Sequence, residues 1–407
     1  MKINPWILIF FLISGCQSGS DQEKTWSDPI QSFENNLLPA IIFRGEPIEP
    51  KSIFERMEFY KVPGVSVAVF KNGNIEWTNG YGFLSYEGSG RIEPHTLFHT
   101  PMIENFFITG AFMTLVEQNQ ISLNQKLSAY IKTSNNLLVK DLLGNPNEIS
   151  TLITLIEKIS NQPYPKFIKE KFIDFYGLKN TTFNFYPSSA SGHTWEGKKL
   201  KEFKEVGLWT IPSDLGQFSA DINSIYLSKT VKVITKRTLD ILVELFSQEI
   251  NGEKALVLEG LSNGYYVKWI SFLNEEGLGY AIFTNSENGK SLSNELEKSL
   301  AKTYDWTFNQ PDTLARMPIP EEQFKIFQGR YFNEEEQNQL EIIAFSDHIK
   351  IHPVGEETRK LEFFAIGDLM LVEKNTGEKI NFEVDESGII QNLILGNKVR
   401  YEKIKAL

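Results

Sequence analysis

The apolar pattern of this chain changes once along its length, at a segment with three prolines between residues 311 and 320. Before this segment, apolar residues recur both in alternation and at spacings of three and four, which indicates strands mixed with helices. After it, short alternating runs are separated by turn residues, without a helical period. With 407 residues, the chain exceeds the usual size of one compact core. The sequence therefore predicts an α+β domain over 29–310, a linker over 311–320, and a small antiparallel β domain over 321–407, either a sandwich or an open barrel.

Strands and helices of the first domain are visible as local patterns. Two apolar runs joined by Asn72-Gly73 predict a β-hairpin, because this dipeptide favours the tight turn between antiparallel strands. The predicted strands are Val65–Phe70 and Ile75–Trp77 in this hairpin, then Ile270–Leu273 and Gly279–Thr284 in a second hairpin of the same sheet. The predicted helices are Phe106–Glu117, apolar on nearly every side, and the amphipathic segments Thr151–Ile159 and Tyr164–Phe175.

Composition and charge exclude several classes of function. Hydrophobic residues make up 41% and charged residues 23% of the chain, which is typical of a globular protein and not of a disordered one. The formal net charge is −11 and no block of Lys or Arg is present, so we expect no nucleic-acid partner. His348 and His352 lie four residues apart on a predicted strand without a pair of carboxylates beside them, so we expect no metal and no cofactor.

The N-terminal residues predict export and a lipid anchor. Residues 1–15 combine a lysine, a short apolar core and small residues, which is the pattern of a signal peptide and is too short for a membrane span of roughly 20 residues. Ile13-Ser14-Gly15-Cys16 resembles a bacterial lipobox, so we expect a lipid on the thiol of Cys16, the only cysteine, and a polar tether over 16–28. By the same resemblance, Gln17 favours the outer membrane, at its periplasmic face or at the cell surface. An ordinary secretion signal with a chance cysteine is the alternative.

Several short segments of the first domain occur in an order shared with a known family. They are Val62–Phe70, Gly80–Gly82, Pro94–Phe98, Tyr176–Phe183, Gly207–Thr210, Pro212–Leu215 and Gly279–Asn285. Together they resemble the β-lactamase-related serine hydrolases, especially class C β-lactamases and D-alanyl-D-alanine carboxypeptidases, over about residues 50 to 306. The resemblance implies a β-lactamase/transpeptidase-like domain, in which helices pack on an antiparallel sheet.

The first motif of that family, Ser-x-x-Lys, has no counterpart here. In the family, one helical turn separates the two residues, so that a desolvated lysine takes the proton of the serine nucleophile. Counting from Leu97-Phe98 places Met102 at the serine position and Asn105 at the lysine position. A thioether has no proton to lose, and a carboxamide is not a base at neutral pH. Thr100 is the nearest hydroxyl, and we expect it to point away from the lysine face.

The other two motifs are also missing. The interval that should hold Tyr-x-Asn is short, and its two positions fall near Gly144 and Pro146, which implies a shortened helical lobe. The third motif pairs a Lys or His with a following glycine, and its counterpart is Leu258-Glu259-Gly260. Leucine carries neither charge nor donor, and Glu259 is expected to repel a substrate carboxylate.

A retained scaffold without its three motifs favours a non-catalytic protein, which we expect to bind an envelope ligand or a protein partner. The degenerate family positions are Met102, Asn105, Leu258 and Gly260. The alternative is an esterase, peptidase or β-lactamase-like hydrolase with residual activity through Ser213, Asp214 or His193. Helix capping explains Ser213 and Asp214 better, and His193 is expected in a turn. A structural spacer is the third interpretation.

Overall fold

The computed structural model describes residues 28–404 except 89, 134–135, 197–198, 228–233, 356–359 and 397. The predicted signal peptide, Cys16 and nearly all of the predicted tether lie outside the described residues. Within the described part of the chain, no helix has both the length and the apolar character needed to cross a membrane.

A six-stranded antiparallel sheet is the centre of the first domain. Its strands are β2 (Gly64–Lys71), β3 (Asn74–Gly82), β8 (Ser247–Ile250), β9 (Glu253–Ser262), β10 (Tyr265–Phe272) and β11 (Gly279–Thr284). Across the sheet they follow the order β3-β2-β11-β10-β9-β8. Asn72 and Gly73, with φ of 53° and 76°, make the turn between β2 and β3, as this dipeptide predicts. Both predicted hairpins are therefore confirmed.

Helices cover both faces of this sheet. One face packs against α1 (Pro29–Asn35), α2 (Ile53–Tyr60) and α8 (Gly289–Thr303). The other packs against α3 (Pro101–Glu117), α6 (Pro212–Tyr226) and α7 (Lys236–Phe246). From Phe106 to Val116 every residue of α3 is buried, because this helix has neighbours on all sides.

Short elements fill the rest of this domain. They are α4 (Ile149–Ser160), α5 (Tyr164–Ile168), the π-helix Lys169–Ile173, 3₁₀ turns at Leu127–Ala129, Val139–Leu142 and Pro146–Glu148, and the paired strands β4 (Phe98–His99) with β7 (Trp209–Thr210) and β5 (Gly192–Glu196) with β6 (Lys199–Phe203). The predicted helix Tyr164–Phe175 is thus one α-helical turn followed by a π-helical one.

The C-terminal domain is a closed barrel of eight antiparallel strands. They are β13 (Gly329–Asn333), β14 (Asn338–Ala344), β15 (Ile349–Pro353), β16 (Leu361–Ala365), β17 (Met370–Glu373), β18 (Lys379–Val384), β19 (Ile390–Leu395) and β20 (Val399–Ile404). The predicted antiparallel β domain is confirmed, and of its two alternatives the structure shows the barrel and not the sandwich. The barrel is closed and not open, because β20 pairs with β13 and removes both edges. The sequence also missed a helical cap, α9 (Glu321–Phe324) with a 3₁₀ turn (Lys325–Phe327), which buries Phe324 and Phe327 in the barrel core.

The two domains are joined by a short pair of parallel strands and by further backbone hydrogen bonds. β1 (Ile41–Phe43) pairs with β12 (Asp312–Leu314), which lies inside the predicted linker. The turn after β17 follows the same edge, where the carbonyls of Asn375 and Lys374 accept hydrogen bonds from the backbone N–H groups of Ala40 at 3.0 Å and Ile41 at 2.9 Å. The barrel is therefore held against the first domain by hydrogen bonds as well as by apolar contacts.

Candidate functional site

The N-terminal turn of α3 lies directly against β9. A Cβ atom built on Gly260 would lie 2.3 Å from Cγ and 3.1 Å from Sδ of Met102. The thioether of Met102 therefore packs on the backbone of Gly260, and only the missing side chain leaves room for it. The structure thus brings together the residues that counting places at the nucleophile position and at the glycine of the third motif.

The pleat of β9 separates Leu258 from Glu259. Leu258 is buried in the core on the α3 face, whereas Glu259 faces α8 and lies 3.1 Å from Nζ of Lys268. Burial opposes ionisation of Glu259, but Lys268, the Tyr266 hydroxyl and Lys290 together outweigh burial and lower the pKa of this carboxyl. Lys268 also contacts the buried carboxylate of Glu297 at 2.8 Å. The expectation that Glu259 would repel a substrate carboxylate is wrong, because its side chain is on the opposite face of the sheet from Met102.

Asn105, Thr100 and the two positions counted for the second motif supply no substitute nucleophile or base. Asn105 is half-buried one turn further along α3. Thr100 is fully buried, and its Oγ1 donates to the carbonyl of Leu208 at 3.2 Å, so the hydroxyl is held against the backbone. Gly144 packs against Leu245 of α7, and Pro146 begins a 3₁₀ turn. The two positions counted for the second motif therefore present neither a phenol nor an amide side chain.

A polar cluster that the sequence did not predict lies behind the first turn of α3. Glu104 is buried, and its Oε1 and Oε2 accept hydrogen bonds from Tyr164 Oη and from the backbone N–H of Leu208, both at 3.0 Å. A Cβ atom on Gly207 would lie 2.7 Å from Oε2 of Glu104 and 2.8 Å from Nε2 of His99. Gly207, with φ of 145°, therefore lets the carboxylate and the imidazole border the same gap.

Burial shifts both titratable groups of this cluster toward their neutral forms. It raises the pKa of Glu104, although the hydrogen bonds from Leu208 and Tyr164 oppose this shift. It lowers the pKa of His99 to about 4, with a small opposing effect from the backbone of Val206. Within the described residues, neither ring nitrogen of His99 makes a well-formed hydrogen bond. The cluster combines a protonatable carboxylate with a neutral imidazole, but it contains no nucleophile.

Two of the replacement residues considered from the sequence, Asp214 and His193, have structural roles. Asp214 accepts hydrogen bonds from the backbone N–H and side chain of Asn180 and from Thr181, at 2.8–3.2 Å, and not from its own helix. It therefore ties a loop to α6. The helix cap predicted for Ser213 and Asp214 is wrong, because both lie inside the first turn of α6, whose N-cap residue is Ile211 and which has no side-chain cap. His193 lies on β5 and is fully buried; its Nδ1 contacts the carbonyl of Asn285 at 2.7 Å, and its Nε2 accepts from the N–H of Tyr86 at 3.0 Å. Both ring nitrogens are thus used in backbone contacts, on a strand and not in a turn.

Comparisons with known proteins agree with this fold. Residues 51–144 match the Beta-lactamase family. The teichoic acid D-alanine hydrolase of Staphylococcus aureus (strain MRSA252) is 33% identical over 164 residues, which are 35% of this chain and 41% of that protein. The match thus spans less than half the length of this curated relative.

Two solved structures extend the likeness to the whole fold. The octameric penicillin-binding protein homologue from Pyrococcus abyssi superposes with a TM-score of 0.55 at 18% identity, covering 86% of this chain and 98% of that one. FmtA from Staphylococcus aureus superposes with a TM-score of 0.51 at 17% identity, covering 66% of this chain and 91% of that one. The predicted fold class and family resemblance are confirmed.

Proposed function

Because this chain is a relative of the β-lactamase family with the fold of penicillin-binding proteins, we propose that it is a non-catalytic lipoprotein of the bacterial cell envelope. It binds an envelope ligand or a protein partner there. The observation that carries this proposal is the thioether of Met102 packed on Gly260, at the position where the family places its nucleophile.

The chemistry of the site supports the absence of turnover. Acyl transfer needs a nucleophile with a removable proton, and a base within hydrogen-bond reach of it. Met102 lacks the proton, Asn105 is not a base, and Leu258 offers no charge for a substrate carboxylate. Removing such groups from a hydrolase costs on the order of 10³ to 10⁶ in rate. Backbone donors alone would have no covalent intermediate to stabilise.

The relatives and the N-terminal sequence support a place at the cell envelope. Teichoic acid D-alanine hydrolase, by its name, acts on a polymer of the envelope. The lipobox-like residues before Cys16 add a membrane anchor to this proposal, with the bilayer as the first partner. Anchored in this way, the chain meets envelope components at high local concentration.

An exposed apolar residue beside the Glu104 cluster favours a binding role over a purely structural spacer. Val206 is 93% exposed and precedes Gly207, the backbone position that borders Glu104 and His99. An apolar side chain left in water beside a former active site is suited to contact a partner.

The cluster of Glu104, His99 and Tyr164 is the observation that favours the alternative, a hydrolase that uses replacement residues. A buried carboxyl with a raised pKa beside a neutral imidazole is typical of acid-base sites. Both oxygens of Glu104 are already bound by Leu208 and Tyr164, so a structural role explains the same geometry.

Turnover assays separate the two interpretations. We expect a Cys16→Ser form, which cannot carry a lipid thioether, to hydrolyse a chromogenic cephalosporin and a nitrophenyl ester no faster than buffer. Glu104→Gln in the same background is the matched variant, since it keeps the size of the side chain. Hydrolysis above the buffer rate that disappears in Glu104→Gln would instead support the replacement-residue hydrolase.

A further inference from the structure

A cavity of about 460 Å³ lies at the mouth of the barrel, where the barrel meets the first domain. Its volume is within the roughly 300–1,000 Å³ of pockets that hold small organic ligands, which often form at domain interfaces and in barrel mouths. Most of its wall on the barrel side is apolar and comes from Leu340, Ile351, Pro353, Leu361, Phe363 and Leu395. Nothing in the proposed function uses this cavity.

The apolar wall consists of inward-facing residues at one end of the barrel. Ile351 and Phe363 belong to the barrel core, and Leu361 is paired with Ile351 across β15 and β16. Below them the interior is already filled, since the rings of Phe327 and Phe382 lie 4.4 Å apart. A ligand would therefore lie in the mouth and not in the barrel interior.

The first domain supplies a polar and cationic roof. The end of α2 contributes Tyr60 and Lys61, and the start of α8 contributes Asn288 and Ser291. Asn288 Nδ2 donates to the carbonyl of Tyr60 at 2.9 Å, which fixes the two helix ends together. The first N–H groups of a helix and a lysine both favour an anion.

Charge in the lining points the same way. The lining contains two cations, Lys61 and Lys360, and one carboxylate, Glu378. The excess of positive charge favours an anionic group over a cationic one.

We propose that this cavity binds a single-chain amphiphile, with its alkyl chain against the barrel mouth and an anionic head group at Lys61 and the start of α8. The apolar wall excludes a purely polar ligand, because burying it there would leave its polar groups unpaired. The roof selects the charge of the head group. This binding is independent of whether the site at Met102 has any activity.

The test compares palmitate with monopalmitoylglycerol, which has the same chain and a neutral head group. Titration calorimetry on the Cys16→Ser form should show saturable binding of palmitate at one site per chain, and weaker binding of the neutral compound. Lys61→Asn removes the charge and keeps a residue that tolerates the φ of 55° at this position. It should weaken palmitate binding and leave monopalmitoylglycerol binding unchanged.

Filling the cavity provides the second arm. Leu361 is 36% exposed at the edge of the cavity, so the Leu361→Trp variant should fold. Its larger side chain should lower the affinity for both ligands by about tenfold or more. Ser291→Phe, on the opposite wall, repeats the test if Leu361→Trp does not fold. Absence of saturable palmitate binding, or binding unaffected by the filling variants, would overturn the proposal. If Lys61→Asn weakened the binding of palmitate and of monopalmitoylglycerol equally, the proposal of an anionic head group at Lys61 would be contradicted.

Discussion

Glu295→Gln is expected to lower the free energy of unfolding of the first domain by about 3–5 kcal/mol, because it leaves the buried Arg56 guanidinium without a counter-charge. Glu295 accepts from Nε and Nη2 of Arg56, both at 2.6 Å, and from Tyr60 Oη at 2.6 Å. The side chains of Arg56 and Glu295 are 11% and 2% exposed. Glutamine keeps the size, and its oxygen can still accept from Tyr60 and Arg56 Nη2, but its NH2 group cannot accept from Arg56 Nε. The loss therefore combines the charge with one hydrogen bond.

Urea unfolding followed by tryptophan fluorescence measures this change. Five of the seven tryptophans lie in the first domain and none follows residue 306, so the change in signal reports the first domain and not the barrel. Glu170→Gln is the control, since the Lys166–Glu170 pair of the first domain is exposed and its loss should not change stability measurably. A loss below about 1 kcal/mol for Glu295→Gln would show that water screens Arg56 and that the pair does not stabilise the domain.

Acidification from pH 6.5 to pH 4 is expected to destabilise the wild-type chain by about 3 kcal/mol more than the His99→Phe variant. Burial lowers the pKa of His99 to about 4 in the folded chain, whereas the unfolded chain binds this proton near the ordinary value of 6.5. The unfolded state therefore binds more protons between these values. The stability that depends on neutral His99 is complete above pH 6.5 and is lost as the pH falls toward 4.

The difference in pH slope between the two proteins is the readout, since repacking around phenylalanine shifts stability at every pH alike. His95→Phe is the matched control, because His95 is exposed and its surroundings change little on unfolding. Parallel pH profiles for wild type and His99→Phe would show that His99 takes up its proton in the folded state.

The relation of Met102 to Gly260 could be expected from the sequence, because the family resemblance places both residues at the positions of the catalytic motifs. Met102 lies in the first turn of a helix and Gly260 on a central strand, and both were located by counting from neighbouring segments. The wrong expectation for Glu259, on the same strand, left out the alternation of side chains between the two faces of the sheet. Alternation along β9 already requires that Glu259 face away from Leu258.

The cluster around Glu104 had only a weak signal in the sequence. Glu104 is 60 positions from Tyr164 and 104 positions from Leu208 in the sequence, and no local pattern can reveal hydrogen bonds over such separations. The available signal was a single charged residue in the apolar stretch from Pro101 to Val116. A buried carboxylate in such a helix requires hydrogen-bond donors from elsewhere in the chain. Closure of the barrel was equally hidden, since it depends on the register between β13 and β20.

Intact-mass spectrometry after incubation with a penicillin tests the central claim most directly, because a covalent adduct requires a nucleophile. The positive control is Met102→Ser, Asn105→Lys, which restores the nucleophile and its base and should acquire one penicilloyl group slowly. Met102→Ser alone should remain unlabelled, since its serine has no base. The wild-type chain is predicted to keep its unmodified mass at every penicillin concentration. A saturable adduct on the wild-type chain would contradict the account.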